Sequence, residues 1–160
     1  MHSKLIEQED YFVAKGGLAL KVKLRLAEEK DSTAILGIVR EKFPQSPINR
    51  SNLSESNRFF FVAEVRGNVV GFADLTLRES DGVVRGLCVE DDFNKLGIGT
   101  VLLNKAVEFA VKNGKKRIQL IVKADNESAL SVYKKTGFMV KSHKTGETGT
   151  VYVMEKAVET

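Results

Sequence analysis

Cysteine is nearly missing from this chain. The single one, Cys88, excludes an internal disulfide, and nothing points to an oxidising compartment. Long apolar runs are missing too, so no bilayer-spanning segment is expected. The opening stretch, Met1 to Asp10, is too polar for a signal peptide, and a cytoplasmic location is the default expectation. No cluster of His, Cys and Asp has the spacing of metal ligands, so no metal is expected. Two familiar phosphate loops are also absent: there is no G-x-x-x-x-G-K-[ST], and no G-x-G-x-x-G opening a βαβ unit. Strong charge of one sign is lacking. The net charge of +4 is spread over 25 basic and 21 acidic residues, and the longest basic cluster is Lys115-Lys116-Arg117. Such a balance argues against nucleic acid as the partner and suits a polyphosphate ligand.

What is present is an ordinary soluble composition, 42% hydrophobic and 29% charged over 160 residues, enough for one domain with a real core. Residues 1–19 read as an N-terminal extension ending at Gly16-Gly17, and 20–160 as the domain. Alternating Leu20, Val22, Leu24 and Leu26 predict a strand. Asp31-Ser32 can cap a helix whose apolar face is Ala34, Ile35, Ile38 and Val39, with Pro44 and Pro47 ending it. The polar stretch Gln45 to Asn57 is loop-like, with room for one short helix. Arg58–Val65 and Val69–Arg78 read as a hairpin about Gly67-Asn68, and Val83–Val89 as a third antiparallel strand. A helix from Gly99 to Asn113 stops at Gly114. Then come a strand over Arg117–Lys123, a short helix capped by Asp125 or Asn126, and a last pair of strands over Phe138–Lys141 and Thr150–Lys156. The order β-α-(α)-β-β-β-α-β-α-β-β predicts an α/β fold with a mixed sheet of about seven strands and about four helices.

The chemistry concentrates in two stretches. In the first, an apolar strand ends at Leu87-Cys88-Val89, and Asn94-Lys95-Leu96-Gly97-Ile98-Gly99-Thr100 leads into a helix. Free amides in a first helical turn, the helix dipole and glycines that admit close approach make an anion site. A G-x-G before a helix is equally well explained as a tight turn. The second stretch runs Ile121-Val122-Lys123-Ala124-Asp125-Asn126 into a short helix carrying Ala129 and Tyr133, then Gly137-Phe138. Taken singly, Asn126 is best explained as a helix cap and Tyr133 as a core residue.

Together, in this order, the two stretches resemble the GNAT acetyltransferases. The first is similar to that family's acetyl-CoA loop, Q/R-x-x-G-x-G/A after a strand ending in valine; the second is similar to its Asn-Tyr-Gly-Phe segment. Leu24 to Asp31 and Gly67 to Phe72 resemble its first strand and second hairpin, so the likeness covers about Lys21 to Lys156. The resemblance implies acetyl-CoA as cosubstrate and an amine-bearing small molecule, peptide or protein as acceptor. It also implies a sheet splayed in its middle, and a homodimer is one option. Backbone amides from Asn94 to Thr100 would hold the pyrophosphate. Leu87 to Val89 would open at a bulge and pair with the pantetheine arm. Asn126 would bond that arm or order the loop, and Tyr133 would be the acid near the sulfur.

There are departures from the pattern. Asn94 stands where the family has Gln or Arg, and Asp91 replaces a frequent proline. The carboxylates of Glu90, Asp91 and Asp92 are expected to face solvent. Ile121 occupies a strand position held by glutamate in many relatives, so no general base can be named, and Asp74, Glu79 and Glu90 are no more than candidates. A phenol of pKa about 10 protonating a thiolate of pKa about 8.5 works uphill by roughly 2 kcal/mol, so Tyr133 is expected to act more as a hydrogen-bond donor. At pH 7 an α-amine is roughly 10% neutral and a lysine about 0.04%, so a site without a base favours an α-amine. Cys88 is expected to be a buried small residue and His143 to be exposed. A non-catalytic acyl-CoA sensor, or an interaction module on the same fold, are the competing readings.

Overall fold

The structure is a computed structural model that describes residues 8–158. The first seven residues of the expected extension lie outside the described residues. The remainder of that extension forms strand β1 (Glu9–Lys15), which turns at Gly16-Gly17 into β2 (Leu18–Leu26) and pairs with it along its whole length. A polar-looking segment becomes a strand because Tyr11 and Val13 pack onto the core while Phe12 stays outside. Helix α1 (Ser32–Lys42) follows. The loop beyond it holds only a 3-10 turn at Arg50–Ser54, so among the described residues three α-helices stand where about four were expected. Strands β3 (Arg58–Val65), β4 (Asn68–Leu77) and β5 (Gly82–Val89) form an antiparallel meander. Helix α2 (Ile98–Lys112) crosses to β6 (Arg117–Lys123), parallel to β5. Helix α3 (Glu127–Lys135) leads to β7 (Met139–Gly146) and β8 (Gly149–Ala157). The eight strands lie in the order β1-β2-β3-β4-β5-β6-β8-β7.

Strand alternation gives the sheet two covered faces. Phe61, Ala63, Ala73, Leu75 and Leu77 pack against Leu102, Leu103, Ala106 and Phe109 of α2. Phe60, Val62, Phe72 and Cys88 pack against Ile35, Ile38 and Val39 of α1. Each fully buried Leu, Ile, Val or Phe among them contributes about 1.5–3 kcal/mol by leaving water. The start of α1 is tied to the sheet by Arg25 of β2. Its guanidinium donates to both oxygens of Asp31, at 2.7 and 2.9 Å, and to Glu64 at 2.8 Å. Asp31 also accepts the Glu28 N–H at 2.6 Å.

Two irregularities in β5 shape the site. Asp74 pairs with Gly86 but Leu75 with Val84, leaving Arg85 as an extra residue, a β-bulge. The expected bulge at Leu87–Val89 is therefore corrected to Arg85. The reason lies in the apolar pattern. Val84, Leu87 and Val89 all face α2, and an odd spacing between the first two needs one surplus residue. The surplus puts Arg85 and Gly86 together on the α1 face. Secondly, β5 pairs with β6 only through Gly82–Ile118, Val83–Gln119 and Val84–Leu120. Past the bulge, β5 follows β4 and β6 follows β8, so the sheet parts into a wedge there.

Candidate active site

One wall of the wedge is the end of β5 and the loop beyond it. Leu87 and Val89 pack towards α2 and Cys88 towards α1, so it is their backbone that borders the gap. Gly71 allows β4 to follow this edge closely, because a Cβ there would lie 2.7 Å from the Cys88 carbonyl. The Glu90 N–H then bonds the Val70 carbonyl at 2.8 Å, and a 3-10 turn at Asp91–Phe93 carries the chain to Asn94. Asp91 does not simply face solvent: it is ion-paired with Lys42 of α1, which holds its pKa below the usual carboxylate range, and it accepts from Asn94 Nδ2 at 3.3 Å. A negative charge beside the loop is thus offset by a lysine.

After Asn94 the backbone turns left-handed twice, at Lys95 with φ 62° and at Gly97 with φ 90°. The first bond of α2 runs from the Val101 N–H to the Gly97 carbonyl at 3.1 Å. Among the described residues, the amides of Lys95, Leu96, Gly97, Ile98, Gly99 and Thr100 donate to no acceptor. Six unspent donors at the positive end of a helix form a concave anion nest. Ile98 is buried and Leu96 half-buried against the core, which fixes the nest in place.

The other wall is β6 and α3. Asn126 caps α3: its side-chain oxygen accepts the Ala129 N–H at 3.2 Å, while its Nδ2 has no partner among the described residues. Tyr133 is 6% exposed and its ring meets Phe138 edge-on at 6.0 Å. Burial, with a smaller contribution from the nearby Cys88, pushes the Tyr133 phenol up to about 12. Its hydroxyl makes no hydrogen bond among the described residues, yet no buried unsatisfied side-chain atom is found, so the oxygen keeps an opening. Burial likewise pushes the Cys88 thiol up to about 11, leaving it protonated.

On the α1 side the wedge opens into a cavity of about 500 Å³. Its wall includes Lys42 at the end of α1 and the chain on to Ser46, and Phe72, Asp74, Arg85, Gly86 and Lys123 from the strands. Asp74 is buried and held by Arg58 through both oxygens, at 2.9 and 2.6 Å; burial raises its pKa and Arg58 only partly offsets this. Glu79 is exposed at the opposite end of β5, away from the nest, and Ile121 is 68% exposed with no acid at its position. Among the described residues no three His, Cys, Asp or Glu are grouped to hold a metal ion, and no helix is long and apolar enough to cross a membrane.

Residues 25–138 match the model of the acetyltransferase (GNAT) family. The chain belongs to the GNAT acetyltransferase family. It is 39% identical over 90 residues to an N-acetyltransferase of Methanocaldococcus jannaschii described as uncharacterized, spanning 51% of this chain and 39% of that protein's length. To an N-alpha-acetyltransferase of Sulfurisphaera tokodaii it is 31% identical over 133 residues, covering 72% of this chain and 79% of the relative. Its fold matches Arabidopsis thaliana Naa50, solved with the bisubstrate analogue CoA-Ac-MVNAL, with a TM-score of 0.72 at 22% identity over 86% of this chain and 99% of that one.

In this GNAT protein the sequence-predicted residues fall on the two facing walls: Leu87 to Val89 and Asn94 to Thr100 on one, Asn126, Ala129 and Tyr133 on the other. Sequence reasoning missed Arg58, Arg85 and Lys123. For Arg85 a signal existed, a single cation inside the otherwise uncharged strand Gly82–Val89. For Arg58 and Lys123 there was none, since both sit at strand ends where charge is ordinary.

Proposed function

We propose that this GNAT protein transfers the acetyl group of acetyl-CoA to a primary amine, an α-amine such as that of a peptide, a protein or an amino acid. The observation that carries this reading is the parting of β5 from β6 beside six unspent amides. Acetyl-CoA fits both features: its pyrophosphate suits the nest, and its pantetheine amides suit the strand edge that β6 leaves unpaired. When bound it supplies the thioester. In the transfer the acyl C–S bond breaks and a C–N bond forms; the amine loses a proton and the thiolate gains one. Backbone amides bordering the wedge polarise the carbonyl. With a pKa of about 12, Tyr133 would protonate a thiolate of about 8.5 uphill by roughly 5 kcal/mol, so it serves as a hydrogen-bond donor to sulfur.

The acceptor follows from the missing base. Asp74 is the carboxylate on the cavity wall, and both its oxygens are engaged by Arg58. An α-amine, roughly 10% neutral at pH 7, needs no base to react, whereas a lysine at about 0.04% does. The naming of one relative as an N-alpha-acetyltransferase supports this choice. The test is thiol release from acetyl-CoA with peptides bearing a free α-amine, against Nα-blocked peptides holding one lysine. Acetylation of the first group is expected. CoA binding without thiol release from any amine would leave a sensor rather than an enzyme.

A further inference from the structure

The cavity on the α1 side carries more positive charge than the fold needs. Four cations line it, Lys42, Arg58, Arg85 and Lys123, against one carboxylate, Asp74. Two of the four are spent: Lys42 is paired with Asp91, and Arg58 with Asp74. Arg85 donates its Nε to the Thr76 hydroxyl at 2.7 Å, which aims the guanidinium but does not neutralise it. Among the described residues Lys123 makes no ion pair or hydrogen bond through its side chain, and Arg85 makes no ion pair, although its charge reaches the Asp74 carboxylate that Arg58 holds. The two come from opposite sides of the wedge, Arg85 from β5 and Lys123 from β6, and they reach one cavity because the bulge turns Arg85 to that face.

A concave wall with two exposed, unpaired cations attracts an anion and repels a second cation. It also disfavours an ammonium, which lowers the pKa of an entering amine and aids its deprotonation without a base. Resting on the acetyl-transfer reading above, we propose that the acceptor is an amine that carries a carboxylate a few bonds away, held by Arg85 and Lys123. The fork of Arg85 offers paired donors to a carboxylate, and Lys123 adds a second charge from the far wall. Two sources share this chemistry: a free amino acid, through its α-carboxylate, and a peptide beginning with Asp or Glu, through its side chain.

The test compares acceptors that differ only in that charge. Initial rates of thiol release are measured for free aspartate and glutamate against their α-amides, which keep the side-chain carboxylate. The same is done for peptides beginning with Asp or Glu against identical ones beginning with Asn or Gln. A kcat/KM at least about tenfold higher for the carboxylate member is expected, because a site built for a charged partner rejects the analogue lacking it. A preference within the free amino acids identifies the α-carboxylate as the group held; one within the peptides identifies the side chain. In Arg85→Met and Lys123→Met the preference should collapse, with acetyl-CoA affinity by calorimetry showing that the variant is folded. Equal rates for charged and amide acceptors, or a preference that survives both substitutions, would overturn the proposal and leave acetyl transfer standing. Absence of thiol release with every acceptor, although acetyl-CoA binds, would overturn both.

Discussion

At the scale of single residues, burial decides which chemical role each group can take. Tyr133 is raised to about 12, so its phenol stays protonated at any pH near neutrality and is lost only as pH rises through that value. A kcat profile should show no fall from tyrosine ionisation up to about pH 10. Tyr133→Phe should lower kcat by about 10- to 100-fold with little change in CoA affinity, since a hydrogen bond made in the transition state is missing from ground-state binding. If the saturating rate equals wild type when chemistry is rate-limiting, Tyr133 merely packs. Gly97 is set by backbone rather than burial. A Cβ there would meet nothing within 4 Å, but φ is 90°, a conformation that costs an L-residue roughly 1–2 kcal/mol. Gly97→Val should leave the protein folded and weaken CoA binding at least about tenfold by calorimetry, as its branches crowd the nest. Unchanged affinity would remove the nest from the pyrophosphate's site.

At the scale of elements, α1 is pinned by charge as well as by Ile35 and Ile38. Burial alone would raise the Asp31 pKa, but Arg25 and the Glu28 N–H outweigh it, and the group lies below its ordinary value. A depressed carboxylate contributes stability above its unfolded pKa of about 3.9, and that contribution is lost as pH falls through the folded value. Asp31→Asn leaves Arg25, which is 8% exposed, with Glu64 as its remaining carboxylate, and should cost about 2 kcal/mol in urea unfolding at pH 7. The gap between variant and wild type should narrow below about pH 4; an equal gap at both pH values would mean the pair is not what holds the helix.

The same elements show what was legible beforehand. Strands β2 to β6 and helices α1 to α3 were readable because apolar periodicity and caps agree there, as in Leu20-Val22-Leu24 or Asn126 before α3. Strand β1 was not, since an edge strand with one packed face spends few apolar residues. The nest was legible through Gly97 and Gly99. The positive cavity was not, because Arg58, Arg85 and Lys123 lie far apart in sequence and only the bulge and the wedge bring them to one wall.

At the scale of the whole molecule, a ligand that bridges the wedge should add to the stability of the fold. At a hundred times its Kd, acetyl-CoA would contribute about 2.7 kcal/mol, which for a domain of this size raises Tm by roughly 5–10 °C. No shift at millimolar ligand would count against catalysis and sensing alike. The three rungs between β5 and β6 also have a consequence for how the chain is put together. Every strand on one side of them comes from residues up to Val89, and every strand on the other from Arg117 onward, so the join lies at the same place along the polypeptide and across the sheet. No strand is threaded through from the opposite half. The domain is built like a hinged book whose first cover is bound in reading order while in the second β8 slips between β6 and β7, and the spine is three backbone rungs backed by the apolar core that both covers share.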